Sequence, residues 1–183
     1  MDNQEEFKII QRICDGETNL FSILLHRYSQ TIYSLIVRIA FSKEDAEELT
    51  QDVFIKAFKK LHTFKSKSSF KTWLYRIAYN TAISATRKKR QKIFNIDEKL
   101  IDKISDEDID VLFEKDEDEI LINKLQLVLK KLDAGEKMLI ELYYSKGEKI
   151  NDIAGIINLS ADNVKIKLHR LRKKLYFLMN NSN

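Results

Sequence analysis

Proline is absent from the whole chain of 183 residues, and glycine occurs only four times. Average usage would supply about 9 prolines and about 13 glycines at this length. The residues that make hairpin turns and strand corners are therefore largely missing, which argues against a protein of many short strands and for one built of helices. Apolar residues form 44% of the chain, enough for one or two small cores. The expected fold class is all-α.

Charge is spread unevenly. Asp97 to Glu119 holds twelve acids against three lysines, a net of −9, so the remainder carries +13 within a total of +4. Two basic bodies joined by an acidic linker over residues 93–118 are expected, and basic bodies point to nucleic acid. The linker has no sustained amphipathic face, so it is expected to be disordered or to order only on a partner. No apolar run approaches the ~18 to 20 residues of a membrane span. The start Met1-Asp2-Asn3-Gln4-Glu5-Glu6 is acidic, unlike a secretory leader, and the single Cys14 has no internal disulfide partner. A cytoplasmic protein is expected.

Phe7, Ile10 and Ile13 recur three apart and predict a short helix over 6–13, stopped by Asp15-Gly16-Glu17. Leu24, Tyr28, Ile32, Leu35 and Ile39 predict a longer one from Leu20 to Phe41. Ser42, followed by Glu44 and Asp45, has the chemistry of a helix start: a hydroxyl that accepts an orphan N–H, then acids in the first turn. The helix it opens turns Ala46, Leu49, Val53, Ala57 and Leu61 inward. Phe64 to Ser69 is polar and aperiodic and reads as a loop. Ser69 then caps a helix from Phe70 to about Lys89 that buries Trp73, Leu74, Ile77, Ala78, Thr81 and Ala82. These helices define a first domain, residues 1–92.

A second domain is expected over 119–183. Leu121, Leu125, Val128, Leu129 and Leu132 share one helical stripe. Asp133 and Glu136 have capping-box spacing and open a helix through Met138, Leu139, Leu142 and Tyr143. Ile153, Ala154 and Ile157 mark a short helix, Asn158-Leu159-Ser160 a turn, and Val164, Leu168, Leu171 and Leu175 the inner face of a longer helix. That is a helix-turn-helix pattern. Asn158 suits a left-handed turn position because its side chain bonds locally, and small Ala154 allows a close crossing. Lys165, Lys167 and Arg170 lie off the apolar stripe, and Arg172, Lys173 and Lys174 follow. Such a helix can enter a major groove, its early residues at base edges and its later cations at phosphates. The alternative is an ordinary helical hairpin with a solvated basic face.

Two further clusters are ambiguous on spacing alone. Arg87-Lys88-Lys89-Arg90 ends the helix that carries Tyr75, Arg76, Tyr79 and Asn80, and cations beside aromatics and an amide suit a single strand. The same aromatics also fit a core. Asp45, Glu48 and Asp52 stand at i, i+3 and i+7 on one helix face. No His or Cys joins them at ligand spacing, so a solvated acidic face or a patch for a basic partner protein outweighs a metal site. There is no Gly-rich phosphate loop, and Cys14 has no nearby His or cationic cluster to activate it. The chain is expected not to be an enzyme and to use no metal or cofactor.

Asp45-Ala46-Glu47-Glu48-Leu49-Thr50-Gln51-Asp52-Val53-Phe54, then Phe64, then Ser69-Phe70-Lys71-Thr72-Trp73-Leu74-Tyr75-Arg76-Ile77-Ala78-Tyr79-Asn80 resemble the second conserved region of bacterial sigma factors. Val164-Lys165-Ile166-Lys167-Leu168-His169-Arg170-Leu171-Arg172 resembles the recognition helix of their fourth region. Two domains with a short linker and no N-terminal extension resemble the extracytoplasmic-function group of that family. The likeness covers about residues 5–92 and 119–178.

The resemblance implies a transcription initiation factor that binds core RNA polymerase and directs promoter recognition and DNA melting. It implies that Asp45, Glu48, Gln51 and Asp52 meet cations on the clamp coiled coil of the polymerase's largest subunit, with Leu49 and Phe54 as apolar neighbours. It implies that Phe64, Lys65, Ser66, Lys67, Ser68 and Ser69, together with Asn80, capture a base flipped from the non-template strand of the minus-ten element, flanked by Tyr75, Arg76 and Tyr79. Opening a duplex costs several kcal/mol, and capture of the extruded base offsets part of it. Asn163, Lys165, Ile166, Lys167, Arg170 and Lys173 would read the minus-thirty-five element, and the acidic linker would thread the RNA exit path. An anti-sigma factor, often membrane-bound, is the further partner implied; no small-molecule substrate is. The chain departs from many relatives in lacking Pro near Ala134-Gly135, Gly at Asn158 and a small polar residue at Ile166. Ile166 can contact a thymine methyl or turn partly inward.

Two other functions compete with this one. A stand-alone helix-turn-helix regulator would bind duplex operator DNA by itself, as a two-fold dimer. Residues 1–92 carry no pattern of a ligand pocket or receiver domain for it. A metal-dependent nuclease built on Asp45, Glu48 and Asp52 would cleave DNA with magnesium.

Overall fold

The helix boundaries follow from local chemistry, and the computed structural model describes residues 3–88, 104–105 and 119–181. Among these, every regular element is helical: α1 (Asn3–Cys14), α2 (Phe21–Ile36), α3 (Lys43–Lys60), α4 (Phe70–Lys88), α5 (Glu119–Lys130), α6 (Ala134–Ile140), α7 (Ile150–Ile157) and α8 (Ala161–Asn181). The acidic linker, apart from Ile104 and Ser105, lies outside the described residues, as do Lys89, Arg90 and the side chain of Leu121.

The predicted caps are present. Gly16 takes φ +115° just after α1. Ser42 Oγ accepts the Asp45 N–H at 3.0 Å and opens α3, and Ser69 Oγ accepts that of Thr72 at 3.1 Å and opens α4. At α6 the capping box is reciprocal: Asp133 Oδ1 accepts the Glu136 N–H at 2.8 Å, and Glu136 Oε2 accepts the Asp133 N–H at 2.9 Å. Each cap contributes about 1 kcal/mol. Asn158 closes α7 in the left-handed region, at φ 59° and ψ 49°.

Two boundaries or faces differ from expectation. α2 ends at Ile36, not at Phe41. The Ile36 carbonyl accepts from both Ile39, at 3.0 Å, and Ala40, at 2.9 Å, which tightens the chain into turns and buries Ile39. On α1 the apolar stripe fails at its first member: Phe7 is exposed, whereas Glu6 is buried with one carboxylate oxygen accepting the Tyr28 hydroxyl at 2.7 Å. That bond turns the Glu6 side of α1 inward.

In the first half of the chain, α2, α3 and α4 close around Leu24, Ile32, Leu35, Val53, Ala57, Leu74 and Ala78, with α1, its Ile10 and Ile13 buried, set against the turns at Thr18–Leu20 and Leu61–Thr63. In the second half, Val128 and Leu132 of the α5 stripe meet Met138, Leu139, Leu142, Ile153, Ile156 and the inner face of α8, where Val164, Leu168, Leu171 and Leu175 are all buried. The halves touch: α4 packs on α7 and on α6.

Candidate nucleic-acid interface

On α3, Glu48 and Gln51 are exposed and Asp45 and Asp52 half-buried, along one face. Asp52 pairs with Lys56 one turn on, at 3.6 Å. Leu49 is half-buried against the core. Phe54, the other apolar neighbour, is buried, its ring edge-on to Phe21 at 6.5 Å, because the helix turns it to the core side. The exposed large apolar side chains of α3 are Ile55 and, although its ring meets Phe21 edge-on at 5.0 Å, Phe58; sequence reading missed both. Their spacing of four and seven from exposed Gln51, which puts them on its side of the helix, was the available signal. Among the described residues no group of three or more His, Cys, Asp or Glu is arranged to hold a metal ion.

The loop between the Leu61–Thr63 turn and α4 stands on an aromatic base. Phe64 meets Phe70 edge-on at 5.6 Å and Trp73 at 5.6 Å. Lys65, Ser66, Lys67 and Ser68 are exposed above it, and Ser66 holds φ 53°, unusual for a residue with a Cβ. A groove of about 570 Å³ opens beside the loop, lined by Phe64, Ser66, Ser68, Ser69 and Phe70 on one side and by α1 residues on the other. Tyr75, Arg76, Tyr79 and Asn80 are not part of it. The structure thus divides the predicted minus-ten set into a loop group and an α4 group.

The α4 group faces the second half of the chain. Tyr75 is 1% exposed, a packing residue with Lys71 Nζ 5.7 Å from its ring centroid. Burial, then Glu148 and Glu141, push its phenol well above the usual tyrosine value. Arg76 is exposed, but one guanidinium N–H donates to Asn158 Oδ1 at 3.2 Å. Tyr79 is half-buried near Gly135, and burial with nearby Asp133 raises its phenol. Asn80 is exposed, its amide donating to the Arg76 carbonyl at 2.9 Å. Around them lie polar contacts between the halves: Lys71 with buried Glu148 at 2.6 Å, Lys146 with Ser34 at 2.7 Å, and Arg38 with buried Glu141 at 3.9 Å.

On the helix-turn-helix, Ser160 Oγ accepts the Asn163 N–H at 3.2 Å and starts α8. Asn163, Lys165, Ile166, Lys167 and Arg170 are exposed along its first turns, and Lys173 is half-buried. Lys165 pairs with Asp162 at 3.2 Å, a surface contact that phosphate can replace. Ile166 is 51% exposed, so it points outward and can meet a thymine methyl. Lys174, expected among the trailing cations, is instead bound to both carboxylate oxygens of Glu136, at 2.7 and 2.8 Å, and ties α8 to α6.

A helix-turn-helix with an outward cationic recognition helix, joined to a second helical body with an aromatic-floored basic loop, defines a DNA-binding transcription protein. The family model described as Sigma-70 region 2 matches residues 24–92, and that described as Sigma-70, region 4 matches residues 122–175. The chain belongs to the sigma-70 family of RNA polymerase sigma factors, in its extracytoplasmic-function group. The RNA polymerase sigma-H factor of Pseudomonas aeruginosa is 38% identical over 79 residues, 43% of this chain and 41% of that protein. The match therefore spans less than half of that relative's length. The ECF RNA polymerase sigma factor SigW of Bacillus subtilis is 28% identical over 180 residues, 92% of this chain and 93% of that one. Among solved structures, the sigma factor RpoE in complex with the anti-sigma factor NepR from Bartonella quintana shares the fold with a TM-score of 0.61 at 21% identity, covering 89% of this chain and 98% of that one.

Proposed function

We propose that this sigma factor is a dissociable initiation subunit that binds core RNA polymerase and gives it promoter specificity, with residues 1–92 and 119–183 as its working domains and 93–118 as the linker between them. The observation that carries this is the presence of both sigma regions in one chain, in order, each with its solvent-facing residues of the expected chemistry. Asp45, Glu48, Gln51 and Asp52 dock on cations of the polymerase clamp, and exposed Ile55 and Phe58 extend that face. Lys65, Ser66, Lys67 and Ser68 handle the opened minus-ten strand. Asn163, Lys165, Ile166, Lys167 and Arg170 read the minus-thirty-five duplex. No ATP is needed for melting, because captured bases and phosphate contacts offset the unpairing cost. The chain acts where polymerase and DNA are, in the cytoplasm; no described helix is long and apolar enough to cross a membrane. The relative solved with an anti-sigma factor supports a partner of that kind here.

Co-elution with bacterial core RNA polymerase and run-off transcription on a genomic fragment library test this, with Asp52→Arg alongside. The chain is expected to co-elute and to yield promoter-dependent transcripts. Asp52→Arg is expected to lose both while its unfolding free energy changes by under ~0.5 kcal/mol, as is usual for a change on a solvent-facing helix side. Binding of the protein alone to a duplex operator, with no effect on a competent core enzyme, would overturn the proposal in favour of a stand-alone regulator.

A further inference from the structure

Ile166 is the only large apolar side chain exposed on α8, and it is absent from the apolar residues packed against the core. The helical repeat sets it roughly opposite the middle of the buried stripe of Val164, Leu168, Leu171 and Leu175, at the crest of the outward face. Asn163, three residues before it, and Arg170, four after, share that face, and Lys165 and Lys167 flank it. A single apolar side chain on an ordinary surface needs no explanation. This one stands at the centre of the cationic face by which a recognition helix meets the floor of a major groove, where its neighbours suit phosphates and polar base edges. The one apolar group that unmodified bases offer there is the C5-methyl of thymine.

We propose that Ile166 reads the pyrimidine C5-methyl group itself, so that one position of the minus-thirty-five element takes thymine over uracil and, by the same contact, 5-methylcytosine over cytosine. This rests on the reading of α8 as the minus-thirty-five contact. The methyl occupies the same ring position in thymine and in 5-methylcytosine, whereas the groups at C4, an acceptor in one and an amine in the other, are opposite in hydrogen bonding. The isoleucine side chain neither donates nor accepts, so it responds to the methyl and not to the C4 group. Three and four residues span ~4.5 and ~6 Å of helix, one to two base-pair steps of ~3.4 Å. The methyl therefore lies within about two base pairs of those met by Asn163 and Arg170, whose amide and guanidinium pair best with adenine and guanine. Ile166 is also a position at which the chain departs from many relatives, so the contact is its own. Promoter choice then responds to cytosine methylation at that position.

Core polymerase loaded with the full chain selects binding sites from a library of randomised duplexes. The enriched site is remade with thymine, uracil, 5-methylcytosine or cytosine at each pyrimidine of its minus-thirty-five part, the partner purine changed to match. Competition binding is expected to find one position at which the methyl tightens binding about fourfold in both pairs, thymine over uracil and 5-methylcytosine over cytosine. Ile166→Ser, a change at an exposed position, is expected to lose about fourfold on the thymine site and to bind the two members of each pair equally. A merely structural effect on the helix would instead add to the effect of the methyl. Arg170→Ala serves as a control for the helix. If either variant weakens binding but the methyl has no effect, acts in only one pair or acts equally in Ile166→Ser, the methyl contact is overturned and the minus-thirty-five reading stands. If no site is enriched, or neither variant weakens binding, that reading falls and the methyl contact with it.

Discussion

Tyr28 and Glu136 show how single side chains hold this protein together through partners far from them in sequence. Burial and the Glu6 carboxylate push the Tyr28 phenol up to about 12, from an ordinary value of 10.0. A group whose pKa is raised on folding stabilises the fold fully below its unfolded pKa and loses that contribution as pH climbs through the folded one. The parent is therefore expected to lose stability between pH ~10 and ~12 more steeply than Tyr28→Phe, and chemical denaturation of both across that range checks the difference. Glu136 closes the α6 capping box and also binds Lys174, whose side chain is only 12% exposed. Glu136→Ala removes both and leaves a half-buried ammonium unpaired, so a loss of about 2 kcal/mol is expected in urea unfolding.

The elements were legible in the sequence wherever a side chain signals a boundary to its own neighbours. Ser42, Ser69 and the Asp133 and Glu136 pair announce helix starts within three residues, and the structure places hydrogen bonds at each. Apolar spacing likewise gave the inner face of α8. What was not legible depends on distant partners. The periodicity of α2 continues past Ile36 although the chain turns there, and Glu6 is buried by Tyr28, 22 residues away. The grouping of Arg76 with Asn158, 82 residues apart, has no local signal at all. Asn158 itself carries a test of the turn. Its left-handed backbone suits glycine, so Asn158→Gly is expected to leave stability within about 1 kcal/mol. Asn158→Val places a β-branched residue at φ 59° and is expected to cost at least 1 to 2 kcal/mol more, which thermal unfolding of the two variants would reveal.

For the molecule as a whole, the contact between its halves sets part of α4 against α6 and α7. Arg76 bonds Asn158 of the α7 turn and Tyr79 lies near Gly135 of α6, so as proposed minus-ten contacts both would first have to give up partners in the second half. Much of what holds the halves is polar: buried Glu148 with Lys71, buried Glu141 near Arg38, and Lys146 with Ser34. A buried carboxylate is tolerable only while paired, and removing its partner is far more costly than the pair is favourable. Closure of this kind resists small fluctuations yet yields to a partner that supplies comparable contacts. Glu148→Lys sets two cations against each other at this contact. Because Lys71 is partly solvated, the expected shift is about 2 kcal/mol toward the open form, roughly 30-fold in population. Small-angle scattering would then show a larger radius of gyration, with the melting of each half little changed. The exchanged pair Lys71→Glu with Glu148→Lys restores the attraction and is expected to restore the compact form. An unchanged radius in Glu148→Lys would assign closure to the packing of α4 on α7, with the ion pair a passenger.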